Sequence, residues 1–105
     1  GDRVVRTGGD EFEILLPRTD NHGAMVVGRR IRDNIRKISD THFDGIASGG
    51  VGVVSFPMLE KSNLPDVRES ADRALYKARE IGKNDREGEK PTAVLIIDGT
   101  FHTID

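Results

Sequence analysis

The sequence predicts an α/β fold, with a mostly antiparallel sheet and helices on one or both of its faces. Two long segments repeat apolar residues at spacings of three and four, which is typical of amphipathic helices. Around them lie short apolar runs bounded by glycine, proline and aspartate, which is typical of strands that end in turns. With 105 residues, the chain is long enough for a single domain or part of one.

The composition excludes several classes of protein. The chain is 35% hydrophobic and 32% charged, which is ordinary for a soluble protein with a modest core. A net charge of −2 provides no basic field for nucleic acid. The absence of cysteine excludes disulfides and thiol catalysis and is compatible with the cytoplasmic location that we expect. No apolar run approaches the roughly 20 residues of a membrane span, so a membrane attachment would have to come from regions outside this sequence.

The first predicted element is a β-hairpin over residues 2–17. The turn between its two strands contains Gly8, Gly9, Asp10 and Glu11. The glycines have no Cβ, so the phosphates or ribose of a ligand could approach the backbone closely. The carboxylates are hard oxygen ligands that suit Mg²⁺ or Mn²⁺, and Mg²⁺ usually binds through one or two carboxylates together with substrate phosphates. The alternative is a solvated turn in which the acids only maintain solubility.

The second predicted element is a helix over residues 21–38, for which Thr19 or Asp20 can provide the N-terminal cap. Its apolar face consists of Ala24, Val27, Ile31, Ile35 and Ile38. The remainder is crowded with basic residues, namely Arg29, Arg30, Arg32, Arg36 and Lys37. We interpret most of these as a solvated face that also interacts favourably with the helix dipole.

A polar loop is predicted over residues 39–45, followed by a buried strand over 46–56. The strand is apolar, partly β-branched and bounded by turn residues. It contains Gly49, Gly50 and Gly52, but the sequence has neither a P-loop nor a dinucleotide-binding glycine pattern. Close packing of the backbone inside a sheet therefore accounts better for these glycines.

A second helix is predicted over residues 64–81, with Gly82 following it in the left-handed conformation of a helix C-terminus. Its apolar stripe consists of Val67, Ala71, Ala74, Leu75, Ala78 and Ile81. We interpret Tyr76 as a packing residue. Arg79 and Lys83 are four residues apart, so their cationic ends can converge. The alternative for these two cations is a favourable interaction with the helix dipole alone.

After a charged connector, a strand-rich tail is predicted over residues 92–105. The dipeptide Asp98-Gly99 predicts a turn between a strand at 92–97 and a last strand at 100–104. We assign no function to this tail. The three histidines show no paired spacing of metal ligands, so we expect surface or packing roles for them: His22, His42 and His102.

Two segments together carry a resemblance to a known family. The first reads Gly-Gly-Asp-Glu-Phe over residues 8–12, and the second reads Ala-Asp-Arg-Ala-Leu-Tyr-Lys-Ala-Arg-Glu-Ile-Gly-Lys-Asn over residues 71–84. With a Ser-Gly-Gly-Val-Gly-Val strand between them, they resemble the GGDEF family, the diguanylate cyclases that condense two GTP molecules into cyclic di-GMP. The resemblance covers the chain up to residue 84 and implies the palm-like fold of nucleotide cyclases.

The resemblance implies roles for the turn residues. Asp10 and Glu11 match the residues that bind the metal ions and support the attack of a 3′-hydroxyl on an α-phosphate. Gly8 and Gly9 match the glycines that approach the bound nucleotide. The implied cofactor is therefore Mg²⁺ or Mn²⁺.

The resemblance also implies two sets of contacts away from this turn. Arg79 and Lys83 match the phosphate-contacting basic residues of the family, with Arg and Lys exchanged relative to the commonest pattern. Asp2 and Arg30 match residues of a product-inhibition site. The arginine that begins the Arg-x-x-Asp motif of that site has no counterpart in these residues.

The N-terminal half of the family's domain, with another metal-binding aspartate and the guanine-reading residues, also has no counterpart here. The resemblance therefore implies that residues 1–105 form a single partial domain, inactive or nearly so when isolated. The implied partners are GTP, cyclic di-GMP, a second copy in a homodimer, and sensory or regulatory domains outside this chain. Nucleic acid is not among them.

Three hypotheses for the function remain open at this point. The first is an enzyme, and the second is a GGDEF-like module that binds GTP or cyclic di-GMP without turnover. The third is a structural or dimerising domain. The intact Asp10-Glu11 pair favours the enzyme, because a sensor does not need both metal carboxylates. The presence of Arg79 and Lys83 argues against the structural role.

Overall fold

The computed structural model describes residues 3–6, 12–15, 19–42, 49–55, 64–83, 91–97 and 99–105. The elements in chain order are β1 (Arg3–Arg6), β2 (Phe12–Leu15), α1 (Asn21–His42), β3 (Gly50–Val54), α2 (Leu64–Lys83), β4 (Thr92–Ile97) and β5 (Thr100–Thr103). This arrangement confirms the α/β fold class.

The strands form two sheets. β1 and β2 pair antiparallel in one, and the other has the order β3-β4-β5. β4 and β5 are antiparallel, whereas β3 and β4 are parallel. The parallel pair follows from the chain order, since α2 lies between β3 and β4 and provides the long crossover that parallel neighbours require. Antiparallel pairing thus predominates in the described sheets, as the sequence predicts.

The core is built on both faces of β4. Val94 and Ile96 pack against Ala74 and Ala78 of α2 on one face. On the other face, alternate residues of β4 pack with Ile104 and with Met25 of α1. A strand buried on both faces has no polar side, which explains why residues 93–97 form a continuous apolar run. The three-stranded sheet is therefore a layer between the two helices.

Glycines of β3 allow α2 to approach the sheet closely. A Cβ on Gly52 would lie 2.2 Å from the backbone nitrogen of Leu75 and 2.5 Å from the carbonyl oxygen of Ala71. The close backbone packing predicted for this strand is present, but its partner is the helix rather than another strand. Within the described residues β3 is an edge strand, and it is half-buried rather than buried as predicted.

Helix α1 begins as predicted and ends later. The backbone N–H of Gly23 donates to Oδ1 of Asp20 at 2.8 Å, so Asp20 is the N-terminal cap. The helix continues to His42, so the polar loop predicted from residue 39 is wrong for its first four residues. The polar composition of these residues did not end the helix, and Ser39 is buried in it.

The buried line of α1 is also displaced from the predicted apolar face. Ile38 is 51% exposed, and the residues buried on α1 are Ala24, Gly28, Arg32 and Ser39. A Cβ on Gly28 would lie 2.9 Å from Val53 and 3.1 Å from Ile104. Because Gly28 has no side chain, α1 can approach the sheet with the line of buried residues that contains Gly28. The larger apolar residues of the helix then lie on either side of this line.

Three basic residues of α1 hold the C-terminal tail. Arg29 donates to the carbonyl of Asp105 at 2.8 Å, Arg36 to the carbonyl of Pro91 at 3.2 Å, and Arg32 to the carbonyl of Ile104. Arg32 is only 5% exposed and also pairs with Asp33. The solvated interpretation is therefore wrong for Arg32 and incomplete for the other two. These hydrogen bonds depend on the tertiary structure, because the accepting carbonyls lie 55 to 76 residues away in the sequence.

Helix α2 agrees with its predicted apolar stripe, with two corrections. The helix extends through Lys83, so Gly82 lies buried in its last turn. Among the described glycines the positive φ belongs to Gly99, and the left-handed role predicted for Gly82 is wrong. Tyr76 is 72% exposed rather than packed. It lies two positions from Ala74 and from Ala78, roughly 200° around the helix and therefore opposite the buried face.

The turn predicted between the last two strands is present at Gly99, whereas Asp98 lies outside the described residues. Ile97 pairs with Thr100, and Gly99 has a φ of 79°, the left-handed conformation that glycine adopts without strain. The three histidines are exposed, as expected for surface roles. Within the described ranges, neither helix combines the length and the apolar character needed to cross a bilayer.

Candidate functional site

The strands β1 and β2 form the hairpin that frames the predicted signature turn. Their register runs from Arg3 opposite Leu15 to Arg6 opposite Phe12. Residues 7–11 connect this last pair in the sequence, so the signature joins two antiparallel neighbours. The predicted site residues of this segment lie outside the described residues, namely Gly8, Gly9, Asp10 and Glu11. Asp2 lies outside them as well.

The hairpin is joined to α2 by an ion pair. Arg68 Nε donates to Glu13 Oε1 at 3.0 Å and to Oε2 at 3.2 Å, and its Nη2 donates to Oε2 at 2.8 Å. These hydrogen bonds, together with the charge of Glu13, raise the pKa of Arg68 above its ordinary value. The strand that follows the signature is therefore attached to the first half of α2.

The other half of α2 carries the two predicted phosphate ligands. Arg79 and Lys83 are both exposed and are one turn apart on the same side of the helix. Because Lys83 belongs to the helix rather than to the segment after it, the four-residue spacing is a true helical spacing. A Cβ on Gly50 would lie 3.0 Å from Arg79 Cγ, so the stem of Arg79 lies against the start of β3.

Arg30 lies in a different layer of the molecule. It is exposed on α1, whereas Arg79 and Lys83 are on α2, across the sheet. The structure therefore does not bring Arg30 together with the predicted phosphate ligands. Among the residues that the structure describes, no group of three or more histidine, aspartate or glutamate side chains could hold a metal ion.

Two residues of the site region were not singled out from the sequence, namely Glu13 and Arg68, which form the contact between hairpin and helix. Gly50 was expected to allow close packing, and the Arg79 side chain lies against it. Glu13 could have been noticed as the charged residue that interrupts the apolar run after the signature. Arg68 has no comparable signal, because it lies on the polar side of an amphipathic helix with several other charges.

A shallow groove opens on the outer face of α2, towards β5. It is lined by charged residues of both signs together with Tyr76 and Phe101, and the guanidinium of Arg73 lies 5.9 Å from the ring centre of Phe101. Neither Arg79 nor Lys83 lines it. The groove is therefore separate from the predicted phosphate ligands.

Comparison with known proteins decides the family. A family model described as "Diguanylate cyclase, GGDEF domain" matches residues 1–85. The chain belongs to the GGDEF family. Its palm-like fold is that of a nucleotide cyclase, and the match includes the signature hairpin, α1, β3 and α2 but ends before β4 and β5.

Curated relatives support this assignment. The probable diguanylate cyclase DgcT of Escherichia coli K12 is 30% identical over 79% of this chain and 19% of its own length. Diguanylate cyclase A of Treponema denticola is 33% identical over 79% of this chain and 23% of its own length. Diguanylate cyclase DgcP of Pseudomonas aeruginosa is 32% identical over 79% of this chain and 12% of its own length.

The chain thus spans less than a quarter of the length of these relatives. No solved structure gives a significant match.

Proposed function

We propose that this chain forms part of a diguanylate cyclase, which condenses two GTP molecules into cyclic di-GMP and two pyrophosphates. The observation that carries the proposal is an intact Gly-Gly-Asp-Glu-Phe signature between the paired strands β1 and β2 in a chain of the GGDEF family. In each of two steps, a 3′-oxygen bonds to the α-phosphorus of the other GTP. The bond from that phosphorus to pyrophosphate breaks, and the hydroxyl proton leaves.

Asp10 and Glu11 are the proposed metal ligands. Two adjacent carboxylates form a donor set of hard oxygens, which fits Mg²⁺ or Mn²⁺ in the presence of substrate phosphates. When bound, such ions neutralise charge that develops on the phosphate oxygens and favour ionisation of the attacking hydroxyl. Gly8 and Gly9 have no Cβ, so they would allow the nucleotide to approach the backbone closely.

Arg79 and Lys83 are the proposed phosphate ligands. Both cations project from the last two turns of α2 and are exposed, so a triphosphate can reach them from solvent. The guanidinium of Arg79 can bind two phosphate oxygens at once, whereas the ammonium of Lys83 acts as a compact point charge. Together they offset part of the negative charge that two GTP molecules bring to the site.

The reaction joins two nucleotides, so two copies of the domain would each present one GTP across a homodimer interface. Asp2 and Arg30 are proposed to bind the product at a separate inhibitory site, which agrees with the location of Arg30 on the other layer of the fold. The substrate GTP is an intracellular nucleotide, so the proposed site faces the cytoplasm. Sensory or regulatory domains elsewhere in the protein would control dimer formation.

The proposal is tested by incubating the protein that contains this chain with GTP and Mg²⁺ and separating the products. The intact mass is measured first, so that any flanking sequence in the sample is known. We expect cyclic di-GMP and pyrophosphate. The variant Asp10→Ala should lose turnover, because one proposed metal carboxylate is gone, and should keep the circular dichroism spectrum of the wild type.

Two outcomes would contradict parts of this proposal. Normal turnover in Asp10→Ala would contradict the metal-binding role of Asp10 while leaving the cyclase activity in place. Tight binding of GTP or cyclic di-GMP by the unsubstituted protein, without turnover, would favour the non-catalytic binding module instead.

A further inference from the structure

Three apolar side chains of the signature hairpin are exposed in the described part of the chain. Val4 is 66% exposed, Val5 53% and Ile14 42%, although all three are apolar residues of β1 and β2. Burial of these three side chains therefore does not determine the orientation of the hairpin relative to α2. Among the side chains that the structure describes, those of Glu13 and Arg68 form an ion pair that joins the two.

The geometry of this ion pair is directional. Both carboxylate oxygens of Glu13 accept hydrogen bonds from two nitrogens of Arg68, at distances from 2.8 to 3.2 Å. A planar guanidinium that binds both oxygens fixes the orientation as well as the distance of its partner. Glu13 lies only two residues after Glu11 in the sequence, so a constraint on Glu13 acts close to the signature acids along the chain.

The helix that carries Arg68 also carries the proposed phosphate ligands. Arg79 lies eleven residues after Arg68, about 16 Å along a rigid helix. We propose that Arg68 is a positioning residue, which holds Glu13 and thereby sets the signature carboxylates in register with Arg79 and Lys83. This inference rests on the proposed cyclase function and assigns a role to two residues outside the signature.

An exposed ion pair of this kind contributes little to folding stability, because solvent and salt screen it. The Arg68 and Glu13 side chains are 53% and 42% exposed. Its effect should therefore appear in alignment rather than in stability. Displacements of about 1 Å away from the reacting groups can cost roughly a hundredfold in rate. Loss of the pair should accordingly lower kcat and leave the KM for GTP nearly unchanged.

The test compares four variants with the wild type in steady-state production of cyclic di-GMP. They are Arg68→Gln, Arg68→Lys, Glu13→Gln and the double variant Glu13→Gln with Arg68→Gln. We expect each single variant to lose up to about fivefold in kcat, the limit that the small free energy of an exposed ion pair sets on the population of aligned hairpins. The double variant should lose no more than either single one, since both remove the same contact. Arg68→Lys should also have a lower kcat than the wild type, because its ammonium keeps the charge but cannot bind both carboxylate oxygens as the planar guanidinium does.

The matched control is Lys77→Gln, which removes another exposed ion pair of the same helix. Lys77 Nζ lies 3.4 Å from Glu80 Oε1, so both partners of this pair belong to α2. This variant should keep the kcat of the wild type. The melting temperatures of Arg68→Gln and Lys77→Gln should change by similar small amounts, which separates positioning from a loss of folded protein.

Three results would overturn the inference. They are a wild-type kcat in Arg68→Gln, full activity in Arg68→Lys, or losses in the two single variants that add in the double variant. A protein that makes no cyclic di-GMP before any substitution would instead contradict the proposed function itself. The two failures are therefore distinguishable within one experiment.

Discussion

Gly52 has no side chain, and the backbone of α2 occupies the space where one would be. The nearest helix atoms would lie 2.2 to 2.7 Å from an added Cβ, and two of them belong to Leu75. Backbone atoms cannot move aside as the end of a flexible side chain can. At the scale of single residues, the absence of a Cβ at Gly52 therefore allows the close distance between α2 and the sheet.

We expect Gly52→Ala to destabilise the fold by about 1–3 kcal/mol or more, since overpacking forces the helix away from β3. The matched control is Gly49→Ala, whose Cβ would meet Ile35 at an ordinary 3.5 Å. Urea unfolding followed by circular dichroism measures both variants. Equal stability of Gly52→Ala and Gly49→Ala would show that α2 does not pack on β3 at this position.

At the scale of elements, α1 does more than cover one face of the sheet. Arg29, Arg32 and Arg36 lie along one side of it and donate to backbone carbonyls on either side of the β4 and β5 hairpin. A buried carbonyl without a donor is costly, so these contacts stabilise the ends of the tail as well as the helix. The basic character of α1 is in this respect structural.

Arg32→Leu should destabilise the protein by about 1–3 kcal/mol, because the buried carbonyl of Ile104 loses its charged donor. The control is Lys37→Gln on the same helix, where the side chain is exposed and a change within about 0.5 kcal/mol is expected. Thermal or urea unfolding of both variants provides the comparison. A fully stable Arg32→Leu would mean that water replaces the guanidinium at this carbonyl.

At the scale of the whole molecule, the hydrophobic core includes residues that lie beyond the part of the sequence matched by the family model. The match ends at residue 85, whereas the most buried strand is β4, at residues 92–97. Leu95 and Val94 are the largest fully buried side chains among the described residues. The apolar faces of both helices pack on this strand, so the tail is part of the domain's core and not an appendage.

Deletion of residues 86–105 should therefore abolish cooperative folding, since each buried Val, Leu or Ile side chain contributes about 1.5–3 kcal/mol and the deletion removes several at once. Loss of the thermal transition in circular dichroism is the expected result. Deletion of the last residue alone, Asp105, is the control and should leave a cooperative transition. A cooperative transition in the truncated chain would show that residues 1–85 fold without the tail.

Several features of the fold and site were predictable because their causes are local in the chain. Helical periodicity, a capping aspartate and an Asp-Gly turn act over a few residues, and α1, α2 and the β4–β5 turn appear where these signals predict them. The signature and the segment that contains the basic residues of α2 likewise identify the family, because both motifs occur in the order along the sequence that the family shows. The assignments of Asp10, Glu11, Gly8 and Gly9 to chemical roles stay predictions, because these residues lie outside the described part of the chain.

The sequence by itself determined the fold class, the family and the order of the elements, since periodicity and motifs are properties of neighbouring residues. Only the tertiary structure decided that Arg32 is buried, that Tyr76 is exposed and that Arg68 binds Glu13. Each of these depends on a partner 55 or more residues away or on which side of a helix the sheet covers. Contacts between residues so far apart in the sequence produce no pattern among neighbouring residues, so they could not be predicted from the sequence alone.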